Sequence, residues 1–301
     1  MTQQSDTNSP RTVALHIGAH KTATTHLQRS LNKARASLAA YGASFYGPEQ
    51  LRGPRQTLID RFGLDVDGAR AQNKSSLTRA EQMDAMLGDA RRLILSDENF
   101  IGTLQTKAGV MPVPLYPRAP ERVAALAHAT GLPQIDIFLG VRDPASFLTS
   151  AYSQLLMAGD GLAFDHYLTK NPIVNVYWPG LVARLVALPC VGRVVVWRQE
   201  DYTTVFPQIC AELIGTPMPI RPLAGVAHRG LSAQAVEAAL ETFARTGARG
   251  AGKTARETFP INQIYPQFAP FDAGTLAAST TEYAAQLSDI AALDGVTLLR
   301  P

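Results

Sequence analysis

Five short and almost wholly apolar runs are spaced along the first two-thirds of the chain. They read VALHIG, ASFYG, RLILS, IDIFLGV and RVVVW, at positions 13–18, 43–47, 92–96, 135–141 and 193–197. None alternates apolar with polar residues, so each predicts a strand that is buried on both faces. The segments at 27–41, 79–91, 121–130 and 144–157 have helical periodicity. Strands and helices that alternate in this way favour a parallel sheet with helices on both faces.

The predicted fold is a three-layer α/β fold with a central, mostly parallel sheet, similar to that of P-loop NTPases, and a helical C-terminal appendage. Internal repeats and low-complexity tracts are absent, so we expect a disordered tail at 1–10 and a single domain at 11–301. Ligands of such sheets bind beyond the carboxyl ends of the strands. The irregular stretches at 50–76 and 102–120 are expected near that edge, as a lid or as pocket walls.

Charge and cysteine usage narrow the classes of partner. The 28 basic and 25 acidic residues leave a net charge of +3 without long runs of like charge, which argues against a nucleic-acid partner. The first ten residues are polar, unlike a secretory signal, and no apolar stretch reaches the roughly 18 residues of a membrane span. Cys190 and Cys210 lie in apolar surroundings without a metal-type spacing, which predicts packed, reduced thiols. We therefore expect a cytoplasmic protein without a transmembrane segment or a metal site.

Two segments could cradle a phosphate, and the first is GARGAGKT at 247–254, which matches G-x-x-x-x-G-K-[ST] letter for letter. That motif binds phosphate when a strand leads into it and a helix follows, because backbone N–H groups then converge on the anion. Here a helical segment at 232–245 precedes the motif, and Gly247 is placed to end that helix. Pro260 follows too soon for a supporting helix, so we predict a mobile glycine-rich loop.

The second segment, GAHKTATT at 18–25, has the opposite profile. The strand VALHIG precedes it, and the residues up to Gly42 predict about four helical turns. Thr24 and Thr25 fall at the helix start, where hydroxyls and unpaired N–H groups are both available, and Lys21 adds a positive charge. The alternative is a plain turn with a threonine as the N-cap.

This second segment resembles the first nucleotide-binding segment of the sulfotransferases, P-K-S-G-T-T-W, which in bacterial members often reads close to H-I-G-x-H-K-T-G-T-T. Lys21, Thr24 and Thr25 match the lysine and the paired threonines, and Thr22 replaces the serine.

Two positions depart from that pattern. Ala23 replaces the glycine, and alanine would strain the loop if this position requires a positive φ. His26 replaces the tryptophan, so the stacking role of that ring is missing.

FLGVRDPASFLTSAYSQ, at 138–154, resembles the second nucleotide segment of the same family. There an arginine at a strand end and a serine on the next helix hold the 3′-phosphate of PAPS (3′-phosphoadenosine 5′-phosphosulfate). Arg142 and Ser150 occupy those positions, and Pro144 is placed to start the helix. The arginine offers a fork of donors to a dianion. The alternative to this phosphate-binding role is that Arg142 forms a surface ion pair with Asp143.

The resemblance implies a PAPS-dependent sulfotransferase that requires no metal. The donor would be bound by Gly18, His20, Lys21, Thr22, Ala23, Thr24, Thr25, Arg142 and Ser150. Lys21 would stabilise the charge on the leaving nucleotide. The acceptor would be a hydroxyl or an amine of a small molecule, a carbohydrate or a lipid. A fainter match to a C-terminal nucleotide contact falls at Arg229 and Gly230, where a surface turn is the alternative.

The general base has no motif of its own, and position alone selects the candidates. Glu98 follows the strand RLILS at the expected site edge and is the first choice. His20 is the second and Asp97 the third. Glu98 could instead cap the next helix or pair with an arginine.

Two other functions stay open. One is a P-loop kinase or NTPase, for which Asp97 would have to hold magnesium. The other is a relative that binds the nucleotide without transferring a group. The sequence does not determine the oligomeric state.

Overall fold

The structure, a computed structural model, describes residues 10–53, 56–66, 69–70, 75–225, 230–247 and 249–301. The predicted disordered tail at 1–10 lies outside this part of the chain except for Pro10, and so does Arg229.

Six parallel strands form the central sheet of the described chain, in the order β2–β5–β1–β6–β7–β8. They are β1 (Thr12–Gly18), β2 (Ala43–Tyr46), β5 (Arg92–Ser96), β6 (Ile135–Val141), β7 (Val191–Arg198) and β8 (Val296–Leu299). Two short strands, β3 (Asp65–Val66) and β4 (Ala69–Arg70), pair as a separate antiparallel hairpin. All five predicted strands are present, and the predicted parallel sheet is confirmed.

The helices flank this sheet. They are α1 (Thr24–Lys33), α2 (Arg35–Ala40), α3 (Pro48–Leu51), α4 (Leu58–Phe62), α5 (Arg79–Leu87), α6 (Ala119–Thr130), α7 (Pro144–Met157), α8 (Phe164–Lys170), α9 (Trp178–Val186), α10 (Tyr202–Ile214), α11 (Ala233–Thr246), α12 (Ala251–Thr258) and α13 (Ala273–Ala291). Short 3₁₀ helices lie at Glu98–Ile101, Ile173–Asn175 and Gln199–Asp201.

The sheet separates two apolar clusters, as the three-layer prediction requires. Along β1, Val13, Leu15 and Ile17 enter one cluster, whereas Ala14 enters the other. The first cluster includes side chains of α5, α6, α7, α9 and α13, and the second includes those of α1, α2 and α10. Side chains of successive strand residues point to opposite faces, so β1 is covered on both.

Three local predictions need correction. The predicted helix at 27–41 is broken at Ala34 into α1 and α2, although neither glycine nor proline marks the break. The predicted helical C-terminal region is present, but the prediction lacked the strand that follows it: α13 leads into β8, which pairs with β7 at the edge of the sheet. β8 was missed because it has only four residues, of which Leu299 alone is buried, and so forms no conspicuous apolar run.

The third correction concerns GARGAGKT. Gly247 ends α11 with a φ of 63°, as expected, but the motif does not continue as a loop. Its GKT residues lie in α12, which begins at Ala251 after a turn at Gly250, where φ is 101°. The prediction of a mobile loop was therefore wrong for the described residues, while Ala248 lies outside them. A helix, and not a strand, leads into this segment.

Both cysteines are free. Cys210 is buried in the cluster beneath α10, and Cys190 packs against the other cluster. In the part of the chain that the structure describes, we find no helix long and apolar enough to cross a membrane.

Candidate functional site

The candidate site lies where the strand order diverges. β1 is flanked by β5 on one side and by β6 on the other, so successive strands are added to the sheet on opposite sides of β1. A crevice opens at the carboxyl ends of strands at such a point. Three segments meet there: the loop at 18–25 after β1, Asp97 and Glu98 after β5, and Arg142 after β6.

A cavity of about 810 Å³ opens at this edge. Eight of the sequence-predicted site residues line it, namely His20, Lys21, Ala23, Thr24, Thr25, Glu98, Arg142 and Ser150. The structure thus brings together two segments that are more than a hundred residues apart in the chain.

Gly18 and Thr22 do not line the cavity but shape the loop beneath it. Gly18 has a φ of 94°, and a Cβ there would lie 3.0 Å from Cβ of Glu98, so glycine lets the end of β5 approach the loop. Thr22 is buried, and its hydroxyl donates to the Ala19 carbonyl over 2.6 Å. It packs against Gly140, where a Cβ would lie 2.9 Å from the Thr22 hydroxyl oxygen.

The N-terminus of α1 faces the cavity without a side-chain cap. Its N-cap is Ala23, whose φ of 61° and ψ of 18° are left-handed, and no side chain of the described residues accepts a hydrogen bond there. The threonine N-cap of the alternative interpretation is therefore not observed. Lys21 also has a positive φ, of 65°. Two non-glycine residues with positive φ in one loop store backbone strain, and an uncapped helix N-terminus attracts anions.

Lys21 is half-buried at the cavity. Burial, to which the nearby charge of Arg142 adds, lowers the pKa of its ammonium group to about 8. Among the described residues, no carboxylate lies within ion-pair distance of this ammonium group. Its charge is thus available to a ligand.

Arg142 ties the second segment to the first. Its guanidinium donates to the Lys21 carbonyl over 3.1 Å and to the Ser146 hydroxyl over 3.0 Å. Asp143, the alternative partner, instead accepts from the Ser146 amide over 3.0 Å and caps α7. Burial lowers the pKa of Arg142, but a guanidinium remains charged. Ser150 lies two turns along α7 and lines the same cavity.

The two acidic residues after β5 share one arginine from the stretch at 50–76. Arg52 donates to both carboxylate oxygens of Asp97, over 2.7 and 2.8 Å, and to Glu98 over 2.8 Å. The other oxygen of Glu98 accepts from the Gln28 amide over 3.1 Å. Burial alone would raise the pKa of Glu98, but the hydrogen bonds and charge of Arg52 outweigh burial and hold the pKa below its usual value.

His20 is held by the stretch at 102–120 and by the segment after β5. Its Nδ1 lies 3.0 Å from the Tyr116 hydroxyl, and its Nε2 lies 3.4 Å from the Asn99 side-chain oxygen. Burial lowers the pKa of His20, so the ring is neutral at pH 7. A neutral ring that donates from Nε2 and accepts at Nδ1 satisfies both contacts.

Four contributions to the site were missed from the sequence. Arg52, Gln28 and Tyr116 position the candidate bases, and Arg256 of α12 adds a positive charge close enough to act on Lys21. Each contact joins residues distant in sequence, so no local pattern signals it.

The far wall of the cavity comes from the C-terminal region. Ile261, Phe268, Phe271 and Leu276 line it, whereas the stretches at 50–76 and 102–120 supply no described residue to the lining. Instead of forming pocket walls, these stretches contact residues that line the cavity, through Arg52 on Glu98 and Tyr116 on His20.

In the described part of the chain, no three His, Cys, Asp or Glu side chains converge as a metal-binding group.

No protein-family model matches the chain, and no curated protein matches it. Among solved structures, the chain is similar to the crystal structure of a sulfotransferase from Alicyclobacillus acidocaldarius. The two are 15% identical over 73% of this chain and 87% of that one, with a TM-score of 0.45.

Proposed function

We propose that the protein is a sulfotransferase that takes the sulfuryl group of PAPS and transfers it to an acceptor hydroxyl or amine. One observation carries the proposal: Lys21, Arg142 and the uncapped N-terminus of α1 face one cavity, and Ser150 lies beside them. Two separate positive groups suit a ligand with two separate anionic ends. PAPS has its phosphosulfate at one end of the nucleotide and its 3′-phosphate at the other.

The residues present fit this donor. Thr24, Thr25 and the first amides of α1 would hold the phosphosulfate end, with Lys21 as the counter-charge. Arg142 and Ser150 would hold the 3′-phosphate, through a guanidinium fork and a hydroxyl. The fold joins the two halves directly, because Arg142 donates to the carbonyl of Lys21.

When bound, PAPS supplies a sulfuryl group on a phosphate leaving group. In the overall transfer, the acceptor oxygen or nitrogen forms a bond to sulfur, the bond from sulfur to the nucleotide oxygen breaks, and the acceptor proton passes to a base. Lys21 would neutralise the charge that develops on the leaving oxygen. Its pKa of about 8 keeps most of the lysine charged at neutral pH.

Glu98 is the proposed base and His20 the second candidate. Both ring nitrogens of His20 have hydrogen-bond partners, whereas a carboxylate that accepts one bond at each oxygen retains lone pairs. Glu98 also lines the cavity. Its lowered pKa keeps it ionised and ready to accept a proton, although it makes Glu98 a weaker base.

The proposal is tested by titrating the purified protein calorimetrically with adenosine 3′,5′-bisphosphate and, separately, with ATP and magnesium. We expect the bisphosphate to bind more tightly. Tighter binding of ATP would instead favour a kinase or NTPase, although the bidentate pair with Arg52 already occupies Asp97, the carboxylate such an enzyme would need for magnesium. A transfer screen with radiolabelled PAPS over carbohydrate, lipid and phenolic acceptors then separates an enzyme from a protein that only binds the nucleotide.

A further inference from the structure

The GARGAGKT segment docks α12 onto the C-terminal end of α7. A Cβ on Gly252 would lie 2.4 Å from the Leu156 carbonyl oxygen, so only glycine permits this approach. At the facing turn, a Cβ on Gly159 would lie 2.9 Å from Cα of Arg249. Of the two glycines in the phosphate-loop spelling, Gly252 therefore serves close packing between helices, whereas Gly247 ends α11.

This packing brings one cation beside a residue that lines the cavity. Arg256 follows Gly252 by four residues and so lies on the same face of α12. Its guanidinium contacts the sulfur of Met157, at 3.4 Å, and Met157 lines the cavity at the end of α7. Arg256 is half-buried, and the described residues place no carboxylate within ion-pair distance of it.

The position of Arg256 separates it from the proposed 3′-phosphate site. Met157 is seven residues beyond Ser150, which is about 10 Å along the helix. A phosphate held by Arg142 and Ser150 would lie nearer to the N-terminus of α7 than Met157 does. The charge of Arg256 also contributes to the lowered pKa of Lys21, although Arg256 itself does not line the cavity and reaches its edge only through Met157.

We propose that Arg256 binds an anionic group of the acceptor, so that the acceptor is a hydroxyl or amine compound carrying a carboxylate, phosphate or sulfate. This inference rests on the proposed function, because it takes the second ligand to be the compound that accepts the sulfuryl group. In a displacement at sulfur, the acceptor approaches from the side opposite the leaving nucleotide, and Arg256 lies away from the groups that would hold the 3′-phosphate. The apolar wall at Phe268 and Phe271 faces the same cavity and would contact the carbon skeleton.

The test compares ligands in pairs that differ in charge alone. Glucose 6-phosphate is paired with glucose, and para-hydroxyphenylacetate with its amide, and binding is measured by ligand-observed NMR with and without adenosine 3′,5′-bisphosphate. The wild-type protein should bind the anionic member of at least one pair about tenfold more tightly, the value of one charge-assisted hydrogen bond at a half-exposed site. Arg256→Gln should abolish the preference, Arg256→Lys should retain part of it, and Lys253→Gln, an exposed change on the same helix, should leave it intact.

Three outcomes would overturn the inference. The wild-type protein could show no charge preference in either pair, Arg256→Gln could keep the preference, or Arg256→Gln could weaken binding of the bisphosphate about tenfold, which would assign the arginine to the donor. The proposed function fails by a different measurement, the titration of the wild-type protein with the bisphosphate against ATP. In the pairs measured without nucleotide, Lys21 and Arg142 also attract the anionic probe, so only the difference between the wild-type protein and Arg256→Gln reports on Arg256.

Discussion

The carboxylate of Glu98 lies 2.8 Å from a guanidinium nitrogen of Arg52, a residue that stands outside the cavity lined by Glu98. The same guanidinium binds Asp97 at both oxygens. Arg52 therefore orients the proposed base and keeps it ionised, while Asp97 holds Arg52 in place.

Replacing Arg52 tests whether Glu98 is the base. Arg52→Gln removes the positive charge, so the pKa of Glu98 should rise. Since activity is lost as the pH falls through the pKa of the base, the acid limb of the pH–rate profile should move to higher pH. The profile of kcat/KM measures this shift, with the exposed change Arg29→Gln as the control. An acid limb that stays in place would argue for His20 or another base.

Lys21 is predicted to act mainly on the chemical step. Lys21→Ala should lower kcat about 10²- to 10³-fold, because the charge on the leaving oxygen then loses its counter-ion. The half-buried lysine has no carboxylate partner among the described residues, so its removal should leave the melting temperature nearly unchanged. Lys33→Ala, an exposed change at the other end of α1, is the matched control. Near-normal turnover in Lys21→Ala would remove Lys21 from its role.

Binding of adenosine 3′,5′-bisphosphate should depend on pH through Lys21. The pKa of about 8 in the free protein means that Lys21 loses its proton as the pH rises through 8. A bound anion favours the charged form, so affinity should fall above pH 8 by up to about tenfold per pH unit, with proton uptake on binding. Calorimetry between pH 7 and 9, in buffers of different ionisation enthalpy, measures both effects. Lys21→Arg, which stays charged, should flatten the dependence, and a persistent slope in that variant would contradict the assignment.

Arg142 and Ser150 should determine recognition of the 3′-phosphate. Arg142→Gln is expected to reduce the preference for adenosine 3′,5′-bisphosphate over AMP by about 10- to 100-fold, since a charge-assisted bond is lost. Ser150→Ala should reduce it several-fold, as expected for a neutral hydrogen bond. Because Arg142 also donates to the loop, the Ser150 variant shows whether the effect belongs to the ligand. Equal losses for both nucleotides would indicate only a loosened loop.

Ala23 should be a strained position. Its φ of 61° costs alanine about 1–2 kcal/mol in the folded state. Glycine avoids this strain, but its greater conformational freedom in the unfolded chain cancels part of the gain in stability. Ala23→Gly should therefore raise the free energy of unfolding by about 0.5–1 kcal/mol in chemical denaturation. Ala34, at the other end of α1, has a φ of −88°, and Ala34→Gly should be destabilising. A loss of stability in both variants would mean that the left-handed position carries no strain.

Most of the fold was predictable because buried parallel strands are apolar throughout. The runs at 13–18, 43–47, 92–96, 135–141 and 193–197 all became strands, with ends within two residues of expectation. Local pattern placed Lys21 and the two threonines at the end of β1, and the resemblance to the sulfotransferases selected Arg142 and Ser150 after β6; all five residues line the cavity. β8 was not predictable, because a short, partly exposed edge strand is recognisable only by the strand it pairs with.

The two phosphate-loop candidates separate what was determined locally from what was not. The sequence by itself determined the strand, loop and helix around Lys21, because apolar periodicity and helix-start residues act over a few turns. Only the tertiary structure decided that Glu98 pairs with Arg52, that Tyr116 holds His20, and that Gly252 packs α12 on α7 and places Arg256 against Met157. Such contacts depend on the packing of elements far apart in the chain, and close packing has no signature in a single short segment.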